Sequence, residues 1–76
     1  MDIKKRLCDL PLGEEGRVLR LEFEGSMQRR LLDIGMTRGT GVKCIGRSPL
    51  GDPMLFSVRG TSVAIRKRDA GGIIIE

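Results

Sequence analysis

The chain has 76 residues, 39% of them hydrophobic and 32% charged, with a net charge of +4. So short a chain forms a single domain, residues 1–76, that buries only about 60% of the surface its unfolded form exposes. It has no His, Trp or Tyr and only two cysteines, Cys8 and Cys44; that leaves too few ligands for a structural zinc site and no imidazole base to activate a nucleophile.

The opening "MDIKKRL" has the basic start of a signal peptide, but "CDLPLGEEG" stands where the apolar run should follow. A soluble, cytoplasmic protein with reduced thiols is expected. Charge is uneven along the chain. Residues 1–38 carry 8 Lys and Arg against 7 Asp and Glu, and residues 39–76 carry 6 against 3. The second half is the basic one, and such a surface favours acidic partners.

In chain order, "LPLGEEG" (10–16) reads as an ordered lead-in loop. "RVLRLEF" (17–23) alternates as a strand with one extra apolar position. In "GSMQRRLLDIG" (25–35) the period changes: Met27, Leu31 and Ile34 recur at i, i+4 and i+7, with Leu32 widening the stripe. Ser26 is the expected N-cap, and Gly35 is placed to end the helix in the left-handed conformation. "TRGTG" is a turn. "VKCIGR" follows as a strand with Val42 and Cys44 on one face. "SPLGDP" is a hairpin connection in which Gly51 takes positive φ. "MLFSV" puts Met54, Phe56 and Val58 on one face, and "VAIR" and "IIIE" are two further strands separated by the polar turn "KRDAGG". About five short strands with tight connections and one helix argue for a small, closed β-barrel.

Little in this inventory can do chemistry. Ser26, Ser48, Ser57 and Ser62 fall in caps, turns or strands, and Cys44 faces the predicted core, where thiols are inert. No catalytic residue, cofactor site or metal site is expected. "GTG" (39–41) lacks the length of a dinucleotide-binding loop, and Glu14, Glu15 and Asp33 lack metal-ligand spacing. Nucleic acid is not expected either: single-strand binders set aromatics beside their charge, and both Phe residues here are core-patterned. "RKR" (66–68) reads as a solvated basic turn. A partner protein would be met by aliphatic and Met side chains rimmed by Arg: Met27, Arg30, Leu31, Arg47 and Leu50. Met27 and Leu31 are read first as core residues, whereas Leu50, at a hairpin tip, is hard to bury.

The ordered series carries a resemblance. "LLDIGMTRGTGVKCIGRSPLGDPMLFSVRG", then "VAIRKRDAGGIII", with the lead-in "LCDLPLGEEGRVLRL", resembles the FeoA family of the bacterial ferrous iron transport system from about Leu7 to Ile75. Its specific part is the helix end at Ile34-Gly35, the turn Gly39-Thr40, Arg47 before Pro49 to Pro53, and the tail Ile65-Arg66 and Asp69-Ala70. The resemblance implies a mainly β fold, an SH3-like barrel with the helix inserted after the first strand. It implies no catalysis, and an accessory or regulatory role through protein–protein interaction with the cytoplasmic GTPase part of a FeoB-type transporter, the chain being peripheral to the membrane through that partner alone. A similar domain ends some iron-dependent repressors, and the lack of a preceding winged-helix segment argues against that role. The alternatives are a small basic barrel binding nucleic acid and a ferrous-iron-binding regulator. Two departures from the family pattern bear on stability. Arg38 stands where Pro is frequent, which loosens the turn through unfolded-chain entropy. Gly71-Gly72 replaces bulkier residues, which implies a weaker hold on the last strand.

Overall fold

The computed structural model describes residues 5–76. Among these, six strands and two helices follow one another as β1 (Lys5–Arg6), β2 (Glu15–Leu21), α1 (Ser26–Asp33), β3 (Gly41–Arg47), β4 (Met54–Val58), β5 (Thr61–Ile65), α2 (Lys67–Ala70) and β6 (Ile73–Ile75), with a single 3-10 turn at Leu7–Asp9. The mainly β fold with a helix after the first long strand matches the expectation. The strand count rises from five to six because Lys5–Arg6, in the basic opening, pairs with Ile75 and Ile74.

All pairings are antiparallel, in the order β1-β6-β2-β3-β4-β5. β2 is the corner of the sheet. Its first residues, Glu15 to Arg17, pair with β3, and its later ones pair with β6. The extra apolar position of "RVLRLEF" is explained there: the register shifts between Val18 and Arg20, so Leu19 is a bulge residue that sharpens the bend. Ile45 plays the same part in β3, between Cys44 and Gly46. Among the described residues the sheet does not close: β1 and β5 stand at its two ends and do not pair, so the expectation of a closed barrel is corrected to an open, curled sheet.

The predicted inward faces are buried. Val42, Cys44, Met54, Phe56 and Val58 form the centre of the core, with Leu7, Val18, Met36 and Ile73 around them. β6 reads as three consecutive buried isoleucines because it lies between β1 and β2 and is covered on both faces. Gly72, just before it, sits in a tight place. The ring of Phe23 occupies the space a Cβ there would fill, and the Gly72 carbonyl accepts the Glu22 N–H at 2.7 Å.

Three local expectations are revised. Gly25, at φ +70°, is the N-cap of α1, and Ser26 is its first helical residue, with no capping bond from a side chain. Leu32 is 43% exposed, because a residue one step round from the buried Leu31 leaves the core-facing stripe. "KRDAGG" is not a bare turn but contains α2. The cause lies 15 residues upstream, where the Asp52 carboxylate accepts the Lys67 N–H at 2.8 Å and caps the helix start.

Candidate functional site

The C-terminal end of α1 is fixed first. Gly35 lies at φ +99°, its N–H donates to Leu32 O at 3.0 Å, and the Met36 N–H reaches back to Leu31 O at 3.0 Å. This paired closure satisfies two orphan carbonyls, and the buried Met36 and Leu31 accompany it. Across from it, Arg59 and Gly60, at φ +51° and +81°, form the two-residue turn between β4 and β5. The Arg59 guanidinium donates to Thr37 Oγ1 at 3.4 Å and Thr40 Oγ1 at 3.3 Å. Helix end, "TRGT" turn and β4–β5 hairpin are thereby tied together, and this sets the spacing between α1 and β5.

That spacing leaves a groove of about 600 Å³. Met27 and Leu31 of α1, with Ile34 just after it, line one side and Val63 and Ile65 of β5 the other. Its rim is cationic. Arg30 comes from the helix, and Arg66 and Arg68 from the segment after β5. One rim acid, Asp69, lies 4.0 Å from Arg68 Nε. Arg66 and Arg68 also line a shallower cleft with Asp52 and Pro53, so the groove continues onto the base of the β3–β4 hairpin.

The hairpin is braced from within. Gly51 N–H donates to Ser48 O at 2.8 Å, Ser48 N–H to Pro53 O at 3.1 Å, and Ser48 Oγ to Asp52 O. Gly51 is at φ +84°, as its place in the turn requires. Leu50 stands at the tip, 94% exposed. Its side chain forgoes about 1.5–3 kcal/mol that burial would return.

Of the five residues expected to meet a partner, Met27, Arg30 and Leu31 come together in the groove, with Leu31 mostly buried in the core. Leu50 is separate, at the hairpin tip. Arg47 does not face the groove. Its guanidinium donates to the Leu10 carbonyl at 3.4 Å and ties the hairpin stem to the lead-in loop. Arg66 and Arg68, read from sequence as a solvated turn, are exposed as expected, and they also line the groove, a placement that this reading did not contain. The signal was the "RKR" run, but its position beside α1 depends on the Asp52 cap and on sheet curvature.

Elsewhere the chemistry is quiet. Burial pushes the Cys8 thiol above its ordinary value, and the neighbouring Asp9 charge adds to the rise, so the thiol stays protonated at neutral pH. Cys44 is fully buried. Among the described residues, no three of His, Cys, Asp and Glu are grouped to hold a metal ion. None of the helices there is long and apolar enough to cross a membrane.

Comparison with known proteins agrees with this geometry. The FeoA domain family pattern matches residues 5–76. A curated relative, the Fe(2+) transport protein A/Fe(2+) transporter FeoB fusion protein of Porphyromonas gingivalis, is 30% identical over 71 residues. That match covers 93% of this chain but spans only 8% of the fusion protein. The solution structure of a FeoA protein from Chlorobium tepidum has a TM-score of 0.89 at 32% identity, covering 95% of this chain and 69% of that one. The FeoA of Stenotrophomonas maltophilia, an SH3 domain protein crystallised with zinc, has a TM-score of 0.83 at 25% identity, covering 99% and 91%. With residues 5–76 matching the family pattern and the sheet, helix and hairpin arranged as in these structures, the chain belongs to the FeoA family, on its SH3-like fold.

Proposed function

We propose that the chain is a non-catalytic accessory protein of ferrous iron transport. It works in the cytoplasm by docking on the GTPase part of a FeoB-type transporter. The observation that carries this reading is the P. gingivalis relative, in which a segment like this one is fused to FeoB. Fusion holds two partners at high effective concentration and is a natural substitute for a separate binding event. The surface supports the same reading. An exposed aliphatic tip and an aliphatic groove rimmed by Arg are suited to a polypeptide, and Arg47 contributes by bracing the hairpin that presents Leu50.

The test is co-purification of the tagged chain with the transporter from bacterial membranes at moderate salt. The wild-type chain retains the transporter, and Leu50→Asp, with an unchanged melting temperature, retains less. Retention of RNA instead, falling steeply with salt, would replace this reading by a nucleic-acid-binding barrel. A stoichiometric ferrous ion in the isolated protein, with no transporter retained, would replace it by an iron-binding regulator.

A further inference from the structure

The two ends of the open sheet differ in kind. Among the described residues β1 is Lys5 and Arg6, both cations. A charged strand edge of this sort is a poor template for pairing. β5 is five residues long, and no residue from Thr61 to Ile65 carries a charge. Among the described residues it has one neighbour, β4, with an unbroken register.

The register says which of its backbone groups are free. Val58 and Thr61 flank the two-residue Arg59-Gly60 turn, so they form a hydrogen-bonded pair. Alternation then makes Phe56↔Val63 and Met54↔Ile65 hydrogen-bonded pairs too, and Ser57↔Ser62 and Leu55↔Ala64 the non-bonded ones. The N–H and C=O of Ser62 and Ala64 therefore point away from β4, along the outer edge. That edge opens into the groove. Val63, Ala64 and Ile65 all line it, although consecutive side chains leave a strand on opposite faces. What the groove receives from β5 is the strand edge, with α1 as its opposite wall.

The charges choose the occupant. Arg59 stands at one end of β5 and Arg66 to Arg68 at the other, with Arg30 across the groove. Antiparallel pairing with a second copy of β5 would bring these cationic ends onto each other, which is destabilising. An extended segment with acidic side chains is complementary to the same ends.

We infer that the groove between α1 and β5 receives an extended, acidic segment of the partner polypeptide, which adds to the sheet as a seventh strand on the Ser62 and Ala64 backbone. This rests on the transporter reading above and names the manner of docking. The main-chain pairs supply affinity, and Met27, Ile34 and the arginines select the side chains.

The experiment uses the full chain and the detergent-solubilised FeoB-type transporter of the same organism. Hydrogen exchange over residues 61–66 should slow on adding the transporter. Ala64→Pro removes an outward N–H while leaving the ladder to β4 intact, and should weaken binding about tenfold. Ala64→Ser keeps the amide and should bind as the wild type does. Arg66→Glu with Arg68→Glu should weaken binding and flatten its salt dependence. If the wild-type chain fails to bind the transporter, both readings fall. If it binds while residues 61–66 exchange at their free rate, strand addition falls and the transporter reading stands. Protection that grows with protein concentration, without transporter, would make a second copy the occupant and overturn the proposal. Should Ala64→Pro prove unfolded, exchange in the wild-type complex decides the question.

Discussion

At Gly35 two independent demands meet. Its φ of +99° is one that side chains rarely adopt, and a Cβ there would lie 2.7 Å from Arg59 Cδ. Left-handed strain in a non-glycine residue costs about 1–3 kcal/mol, and the displaced Arg59 would release Thr37 and Thr40 as well. Gly35→Val should therefore lower the unfolding free energy by at least about 2 kcal/mol, read from urea denaturation. In an Arg59→Ala background the same substitution should cost less, because only the backbone demand remains. A cost unchanged by Arg59→Ala would show that the close approach does not matter. The glycine was legible in the sequence, because a glycine after an amphipathic stripe marks a helix end. The arginine was not, because its reach to the helix end depends on how α1 and the β4–β5 turn are brought together. Gly72 teaches the same point: read alone it suggests a loose strand, and only the Phe23 ring beside it explains why the position is small.

At the scale of elements, strand patterning was readable because burial alternates with period two. The one irregularity in "RVLRLEF" corresponds to a real bulge at Leu19. Elements stabilised by distant partners were not readable. β1 is held by pairing with β6, and by Arg6, which donates to the Gly71 carbonyl and to Glu22 Oε1 at 3.2 Å. Arg20 reaches the other Glu22 oxygen at 3.4 Å. Partial desolvation opposes the charged carboxylate, but the hydrogen bonds and charges of Arg6 and Arg20 outweigh it, so Glu22 titrates below its ordinary value. The sign follows from that direction. With the folded value lowered, the unfolded chain takes up the proton first as pH falls. The contribution is whole above the unfolded carboxylate range, about 4.3, and disappears as pH drops through the folded value. Glu22→Gln should therefore melt below the wild type near neutrality, and the gap should close on acidification. Because the pair is exposed, the gap should be small and should shrink in high salt. A gap that persists in acid would mean that packing, not charge, is responsible.

For the whole molecule, the fold class was legible and the closure was not, because whether the last ladder forms depends on curvature set by two bulges and on where α1 sits. The candidate surface divides in the same way. Met27 and Leu31 share a helix face and were recognisable from their spacing, and Arg30 lines the same groove. Arg66 and Arg68 lie beside Asp52, which links the β3–β4 hairpin to α2. This link can be tested directly. Asp52→Ala removes the carboxylate that accepts the Lys67 N–H and should cost about 1 kcal/mol of stability, measured by chemical denaturation. The loss should also be felt away from position 52. Without the cap, α2 has four residues and its first amide, the Lys67 N–H, loses its partner, so amide exchange should quicken across 67–70. Asp52→Asn and Asp52→Ser, whose side-chain oxygens can still accept the bond, should restore most of both effects. If exchange in α2 is unchanged in Asp52→Ala, the helix is held by its packing against the 3-10 turn rather than by the hairpin, and the arginines on the groove rim are placed independently of it.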